Sequence, residues 1–276
     1  MHFSVHKLPI EFPLPPSIRA VVCCDLDETY IPFSDENKSL GGVAQLEDFL
    51  AAEGEKKGIL LGWITGTNLT SALRKANGYI SRSPNFLCCS LGTEFYWIKG
   101  GKLVASASWE ERIRRSGYCR NNVDEIIKAI REHGISLEKQ PDDYQGHYKI
   151  SFYYQIREEM QRDFDWIDTL TSKYQIRVLF TKCNPAAGDP ADCYDVEFIP
   201  RCCGKDEAVS FLMEETCLPK EKVFAFGDSA NDFPMFARAG QGYLVANADR
   251  DAIKKHGNSL DKPYCHGILS IIEGIR

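Results

Sequence analysis

From Ile18 onward the chain alternates short, uninterrupted apolar runs with stretches in which apolar residues recur every three or four positions. The run "IRAVVCCDLD" (18–27) has the texture of a parallel strand covered on both faces, and "VAQLEDFL" (43–50) that of an amphipathic helix. The pairing returns in "GILLGWITGTN" (58–68) and "LTSALRKANGYI" (69–80), and "NFLCCSLGTE" (85–94) predicts a third strand. Towards the C-terminus "GKDEAVSFLMEETCL" (204–218) predicts a helix, "KVFAFGDSANDFPMF" (222–236) a strand, an acidic turn and a helix start, and "GQGYLVAN" (240–247) one more short strand. This rhythm specifies an α/β class with a parallel sheet.

The texture differs in between. "EFYWIKGGKLVAS" (94–106) reads as a hairpin closed by Gly100 and Gly101, and "NVDEIIKAIREHG" (122–134) as a helix. Strand-like "YKISFYYQ" (148–155), helical "EEMQRDFDWIDTLTSKY" (158–174) and strand-like "IRVLFTKC" (176–183) and "YDVEFIP" (194–200) follow. Two helices with several mostly adjacent strands predict a separate α+β module over residues 93–200, inserted between core halves at 1–92 and 201–276.

At 276 residues the chain lies where a single core stops growing, consistent with two domains. Its 43% apolar residues are enough for a proper core. A formal charge of −6, with no basic face interleaved with aromatics, argues against nucleic acid as a partner. No run approaches the ~20 apolar residues of a membrane span. The first 16 residues, rich in proline, read as an extended leader and not a signal peptide. The 11 cysteines include the adjacent pairs 23/24, 88/89 and 202/203 and no C-x-x-C at zinc spacing, so they read as buried thiols of a reducing, cytoplasmic compartment.

Candidate chemistry gathers at predicted strand ends, where parallel sheets place functional groups. Asp25 and Asp27 follow "VVCC", Thr65-Gly66-Thr67 follows "LLGWI", and Asp228, Asn231 and Asp232 follow "KVFAF". Taken singly, a strand-end Asp or Thr often merely caps the next helix. If neighbouring strands carry these groups, four carboxylates converge, and a hard divalent cation such as Mg2+ resolves the crowding.

The ordered set D-x-D-x-T (25–29), T-G-T (65–67), a lysine opening a helix (Lys205) and G-D-S-x-N-D (227–232) resembles the haloacid dehalogenase superfamily of phosphohydrolases. The resemblance spans both core halves and implies a Rossmann-like core. It implies that Asp25 is the nucleophile forming an aspartyl-phosphate and that Asp27 protonates the leaving alkoxide, then activates water. It further implies that Thr65 and the Gly66 amide bind phosphoryl oxygens, that Lys205 neutralises phosphate and nucleophile, and that Asn231 orients Lys205 or phosphate. Asp228 would hold Mg2+ beside Asp25 and the Asp27 carbonyl, with Asp232 in the metal's shell. Two positions depart from the pattern: Glu28 stands where many relatives have glycine and Thr67 where many have arginine.

The insertion is similar to the C2 cap of this superfamily, in its smaller C2B form, and "SLGTEFYW" (90–97) is similar to sucrose-phosphate phosphatases. A small-molecule sugar phosphate is therefore the implied substrate. "FYYQ" (152–155) and "CNPAAGDPADCYDVEFIP" (183–200) resemble family members acting on an amino-sugar 6-phosphate such as kanosamine 6-phosphate. A buried ammonium wants a carboxylate, which makes Glu94 and Asp189, with Asp192, Asp195 and Glu197 behind them, candidates for specificity. Turn formation explains Asp189 and Asp192 equally well. His147, Tyr153 and Tyr154 could touch sugar or simply pack. A neutral hexose phosphate such as sucrose 6-phosphate, a phosphomutase on the same scaffold, and a binding protein on a dead scaffold are the competing expectations.

Overall fold

A computed structural model of the chain describes residues 8–183, 185, 188 and 190–275. The chain divides into two compact units, one of Met1–Ala107 with Lys205–Arg276 and the other of Ser108–Gly204.

Seven strands build the sheet of the first unit: β1 (Ala20–Cys24), β2 (Ile59–Ile64), β3 (Phe86–Cys89), β4 (Glu94–Lys99), β5 (Lys102–Ala105), β10 (Val223–Gly227) and β11 (Gln241–Leu244). Their order is β11-β10-β1-β2-β3-β4-β5, with β11 to β3 parallel and the β3-β4 and β4-β5 pairings antiparallel. Every residue of β1, β2, β3 and β10 is buried, as continuous apolar runs require when helices cover both faces. Gly62 in β2 sits where a Cβ would lie 2.4 Å from the Phe86 ring, so the bare backbone there makes room for an aromatic core residue.

The hairpin 94–106 belongs to this sheet and not to the inserted module, so the unit boundaries fall at 107/108 and 204/205 in place of the expected 93 and 200. The reason is apolar packing: Phe95 stacks on Phe86 at 5.6 Å and meets Phe211 of the helix Lys205–Thr216 edge-on at 5.0 Å. Helices Arg250–His256 and Tyr264–Ile272 complete the unit beyond the sequence expectation, the latter through buried Cys265, Ile268 and Ile272.

The second unit is an antiparallel sheet, β6 (Glu138–Lys139), β7 (Ile150–Gln155), β9 (Cys193–Pro200) and β8 (Ile176–Lys182), in the order β6-β7-β9-β8. Alternate residues Phe152 and Tyr154, Val178, and Val196 and Phe198 form one core with Val123, Ile126 and Ile130 of helix Asn121–Glu132 and Phe164 and Ile167 of helix Met160–Thr171. An added helix, Ala107–Arg115, escapes sequence reading because only Trp109 and Ile113 of it are buried. Among the described residues no helix is long and apolar enough to cross a membrane.

Candidate active site

β1 lies between β2 and β10, so the residues that follow these three strands share one edge of the first unit's sheet. The Asp25 amide donates to the Phe226 carbonyl at 2.8 Å, which carries the β1-β10 ladder one residue further and fixes where the Asp25 side chain starts. That side chain is only 7% exposed. Lys205, the first residue of helix Lys205–Thr216, points its ammonium into the same space. Its Nζ donates to Asp25 Oδ1 at 2.8 Å, Asp232 Oδ1 at 2.6 Å and Asn231 Oδ1 at 3.3 Å, one acceptor for each ammonium proton.

Asp232 is fully buried and held from both ends. Its Oδ2 accepts from the amides of Asp228 at 3.1 Å and Ser229 at 3.2 Å, in a capping box with Ser229. The turn closes this tightly because residue 227 is glycine: a Cβ there would lie 2.3 Å from Asp232 Oδ2.

Carboxylate oxygens of Asp25, Asp228 and Asp232 come within 4.8 Å of one another, and Thr29 Oγ1 donates to Asp228 Oδ1 at 3.3 Å. Loss of solvation pushes the Asp25 pKa up to about 7; Lys205 opposes this, while Asp232 and Asp27 add to it. Asp228 is pushed up to about 9, again by loss of solvation first and then by Asp232 and Asp25. Desolvation works to lower the Lys205 pKa, but Asp232 and Asp25 outweigh it and hold the ammonium above its ordinary value. Burial first, and mutual repulsion second, therefore disfavour the ionised carboxylates even with Lys205 among them. With Asp27 and its partner Lys75 counted, four carboxylates face two ammonium groups, and the remaining two formal charges match one divalent cation. An all-oxygen donor set of this kind suits Mg2+.

Asp27 is tied to the second strand end. Thr67 Oγ1 donates to its Oδ2 at 2.6 Å, and Lys75 Nζ donates to its Oδ1 at 2.6 Å. Thr65 is buried, its amide bonded to the Cys88 carbonyl at 2.8 Å, and its Oγ1 accepts from the Thr67 amide at 3.0 Å. The hydroxyl thus caps the turn while keeping its own proton to give. Gly66 lies under Leu91, whose Cδ2 would be 3.0 Å from an added Cβ. Lys75 carries no motif signal: it sits 48 residues from Asp27 in the helix after the T-G-T turn, and only the fold brings it in.

Glu28 occupies the left-handed region, with φ 54°, which explains why glycine suits this position. Here the glutamate is retained by its contacts: its carboxylate accepts from the Phe33 amide and, at 3.0 Å, from Tyr264 Oη, and Asn247 Nδ2 donates to its carbonyl at 2.7 Å.

The described specificity candidates each have partners within their own unit. Glu94 opens β4 of the first unit, where its two oxygens accept from Ser90 Oγ at 2.8 Å and Tyr96 Oη at 2.7 Å. In the second unit, Glu197 forms a buried ion pair with Lys149 at 2.8 Å and Asp195 accepts from Gln140 Nε2 at 2.6 Å. Asp192 has φ 54°, a turn conformation, and Asp189 lies outside the described residues. Tyr154 packs in the second unit's core and donates to Asp163 at 2.6 Å; His147 meets Tyr148 edge-on at 4.4 Å.

A family model described as sucrose-6F-phosphate phosphohydrolase matches residues 18–276. Kanosamine-6-phosphate phosphatase of Bacillus subtilis (strain 168) is 35% identical over 258 residues, covering 92% of this chain and 91% of that protein. A haloacid dehalogenase-like hydrolase of known structure from Bacillus subtilis superposes with a TM-score of 0.76 at 30% identity, over 97% of this chain and 95% of that one. The sucrose-phosphatase from Synechocystis sp. PCC6803, solved with sucrose and phosphate, shares the fold with a TM-score of 0.70 at 19% identity, over 94% of this chain and 98% of that one.

Proposed function

The chain belongs to the sucrose-6F-phosphate phosphohydrolase family of haloacid dehalogenase-like hydrolases, and we propose that it is a Mg2+-dependent phosphatase of an amino-sugar 6-phosphate, kanosamine 6-phosphate. The observation that carries the chemistry is the buried Asp25 at a strand end, gripped at 2.8 Å by an ammonium that also pairs with Asp232. The relative of 35% identity, aligned over nearly the whole length of both chains, supports the choice of sugar.

In this reading an Asp25 oxygen attacks phosphorus as the bond from phosphorus to the sugar oxygen breaks, giving an aspartyl-phosphate. Asp27 gives its proton to the departing sugar oxygen. Water then attacks phosphorus while Asp27 takes up a proton, and cleavage of the bond to Asp25 releases inorganic phosphate. Thr65, whose oxygen already accepts from the Thr67 amide, directs its proton to a phosphoryl oxygen beside the Gly66 amide. Lys205, with an acceptor for each proton, is a fixed counter-charge oriented by Asn231 and not a mobile one. Asp25, Asp228 and the Asp27 carbonyl, with Asp232 behind them, would hold Mg2+, which would supply charge compensation at the phosphoryl group. The 11 cysteines, none of them in a C-x-x-C pair, suit a reducing compartment and support a cytoplasmic place of action.

The family description and the sucrose-bound structural neighbour favour sucrose 6-phosphate as the second reading. The test is phosphate release with Mg2+ from glucose 6-phosphate, sucrose 6-phosphate and kanosamine 6-phosphate, compared as kcat/KM. A hundredfold preference for the amino sugar, about 2.7 kcal/mol in transition-state binding, is the expected result. A preference for sucrose 6-phosphate transfers the assignment to the second reading. Turnover that retains the phosphoryl group on sugar, with little phosphate released, would establish a phosphomutase instead.

A further inference from the structure

Asp27 has a clamp of which the T-G-T motif announces only Thr67. Both of its oxygens are occupied, Oδ1 by Lys75 Nζ at 2.6 Å and Oδ2 by Thr67 Oγ1 at 2.6 Å, and Lys75 Nζ stands 3.5 Å from the Thr67 hydroxyl as well. Lys75 lies in the last turn of helix Leu69–Ala76, whose start is fixed by Asn68 accepting from the Ser71 amide at 2.9 Å. Helical side chains lean towards the N-terminus, so a long side chain from the last turn runs back along the helix to the 65–67 turn. The ammonium also lies over the Phe33 ring, 5.5 Å from its centroid. Phe33 and Asp27 belong to the same segment after β1, so Lys75 fastens that segment to the helix after β2.

We infer that Lys75 is a positioning residue for the proton-transfer step, holding the Asp27 carboxyl plane against the leaving group. This rests on the phosphatase reading. A carboxylate offers about four lone-pair sites, of which the clamp uses one on each oxygen. The others remain for the proton that passes to the sugar oxygen and for the one later taken from water. Thr67 alone leaves the group free to swing about its Oδ2 contact; Lys75 at Oδ1 removes that freedom. Lys75 also supplies a cation beside position 67, where this chain has threonine.

Leaving-group dependence separates this role from mere support of the fold. A sugar alkoxide needs the proton from Asp27 to depart, whereas p-nitrophenolate departs without it, and kcat/KM reports the step in which the phosphoryl group leaves its substrate. Lys75→Met is expected to lower kcat/KM for the preferred sugar 6-phosphate by about 30-fold or more, within the range of general acid catalysis, and for p-nitrophenyl phosphate by less than about fivefold. Lys75→Arg keeps the charge and is expected to recover most of the sugar-phosphate activity. Equal losses on the two substrates, no loss on either, or no recovery with arginine would overturn the assignment while leaving the wild-type phosphatase intact. Wild-type protein that releases phosphate from none of the substrates would remove the phosphatase reading and this inference with it.

Discussion

A residue with no side chain sets the geometry of the acid cluster. Gly227 ends β10, and a Cβ there would press on Asp232 at 2.3 to 2.5 Å, against a carboxylate that two amides and Lys205 prevent from moving. Gly227→Ala is therefore expected to cost about 1–3 kcal/mol by overpacking. Activity should suffer as well, because displacing Asp232 releases Lys205 from one of its three acceptors. We expect at least a tenfold fall in kcat/KM alongside a lower Tm, from steady-state kinetics and thermal unfolding of the same preparation. A variant with wild-type values in both measurements would mean that the turn relaxes without moving the acid.

At the scale of elements, the turn after β1 places a glutamate in a backbone region that costs an L-residue about 1–2 kcal/mol. The carboxylate's bonds to the Phe33 amide and Tyr264 return about 1 kcal/mol each. Glu28→Gly should accordingly leave stability within about 1 kcal/mol of wild type, measured by urea unfolding. A loss well beyond 2 kcal/mol would show that the Glu28–Tyr264–Asn247 contacts act as a unit. The same comparison shows which elements were legible in the sequence. Continuous apolar runs announced β1, β2, β3 and β10, because strands covered on both faces leave a compositional trace. The hairpin of β4 and β5 was visible as a hairpin, but its partner was not: the Phe95 to Phe211 contact joins residues 116 positions apart. Acids at strand ends are local signals, as are Thr65, Gly66 and Lys205. Lys75 is not, because a lysine on a polar helix face looks the same whether it meets water or Asp27.

The whole molecule carries an excess of negative charge, −6, and part of it is concentrated in the buried acids of one unit. Because Asp25 and Asp228 have folded-state pKa values above their unfolded ones, the metal-free folded state binds more protons than the unfolded state over that interval. Stability of the metal-free protein should thus fall as pH rises from about 4 through about 7 for Asp25 and on towards about 9 for Asp228. Mg2+ should reverse the trend by binding the ionised set, so the rise in Tm on adding it should be larger at pH 8 than at pH 5. Thermal unfolding with Mg2+ and with chelator across that range checks both statements. A metal-induced shift independent of pH would mean that the cation binds elsewhere.

The position of β1 between β2 and β10 has a consequence for how the protein is made. β2 leaves the ribosome soon after β1, but β10 begins at Val223, 199 residues after β1 ends at Cys24. At about 5–20 residues per second, one edge of the central strand waits roughly 10–40 seconds for its neighbour. Asp25 and Asp27 emerge early, without Lys205, Asp228 and Asp232, the groups that Asp25 meets in the folded protein. Until Val223–Gly227 has been translated, β1 therefore presents one unpaired edge, the kind of edge that invites pairing with another chain.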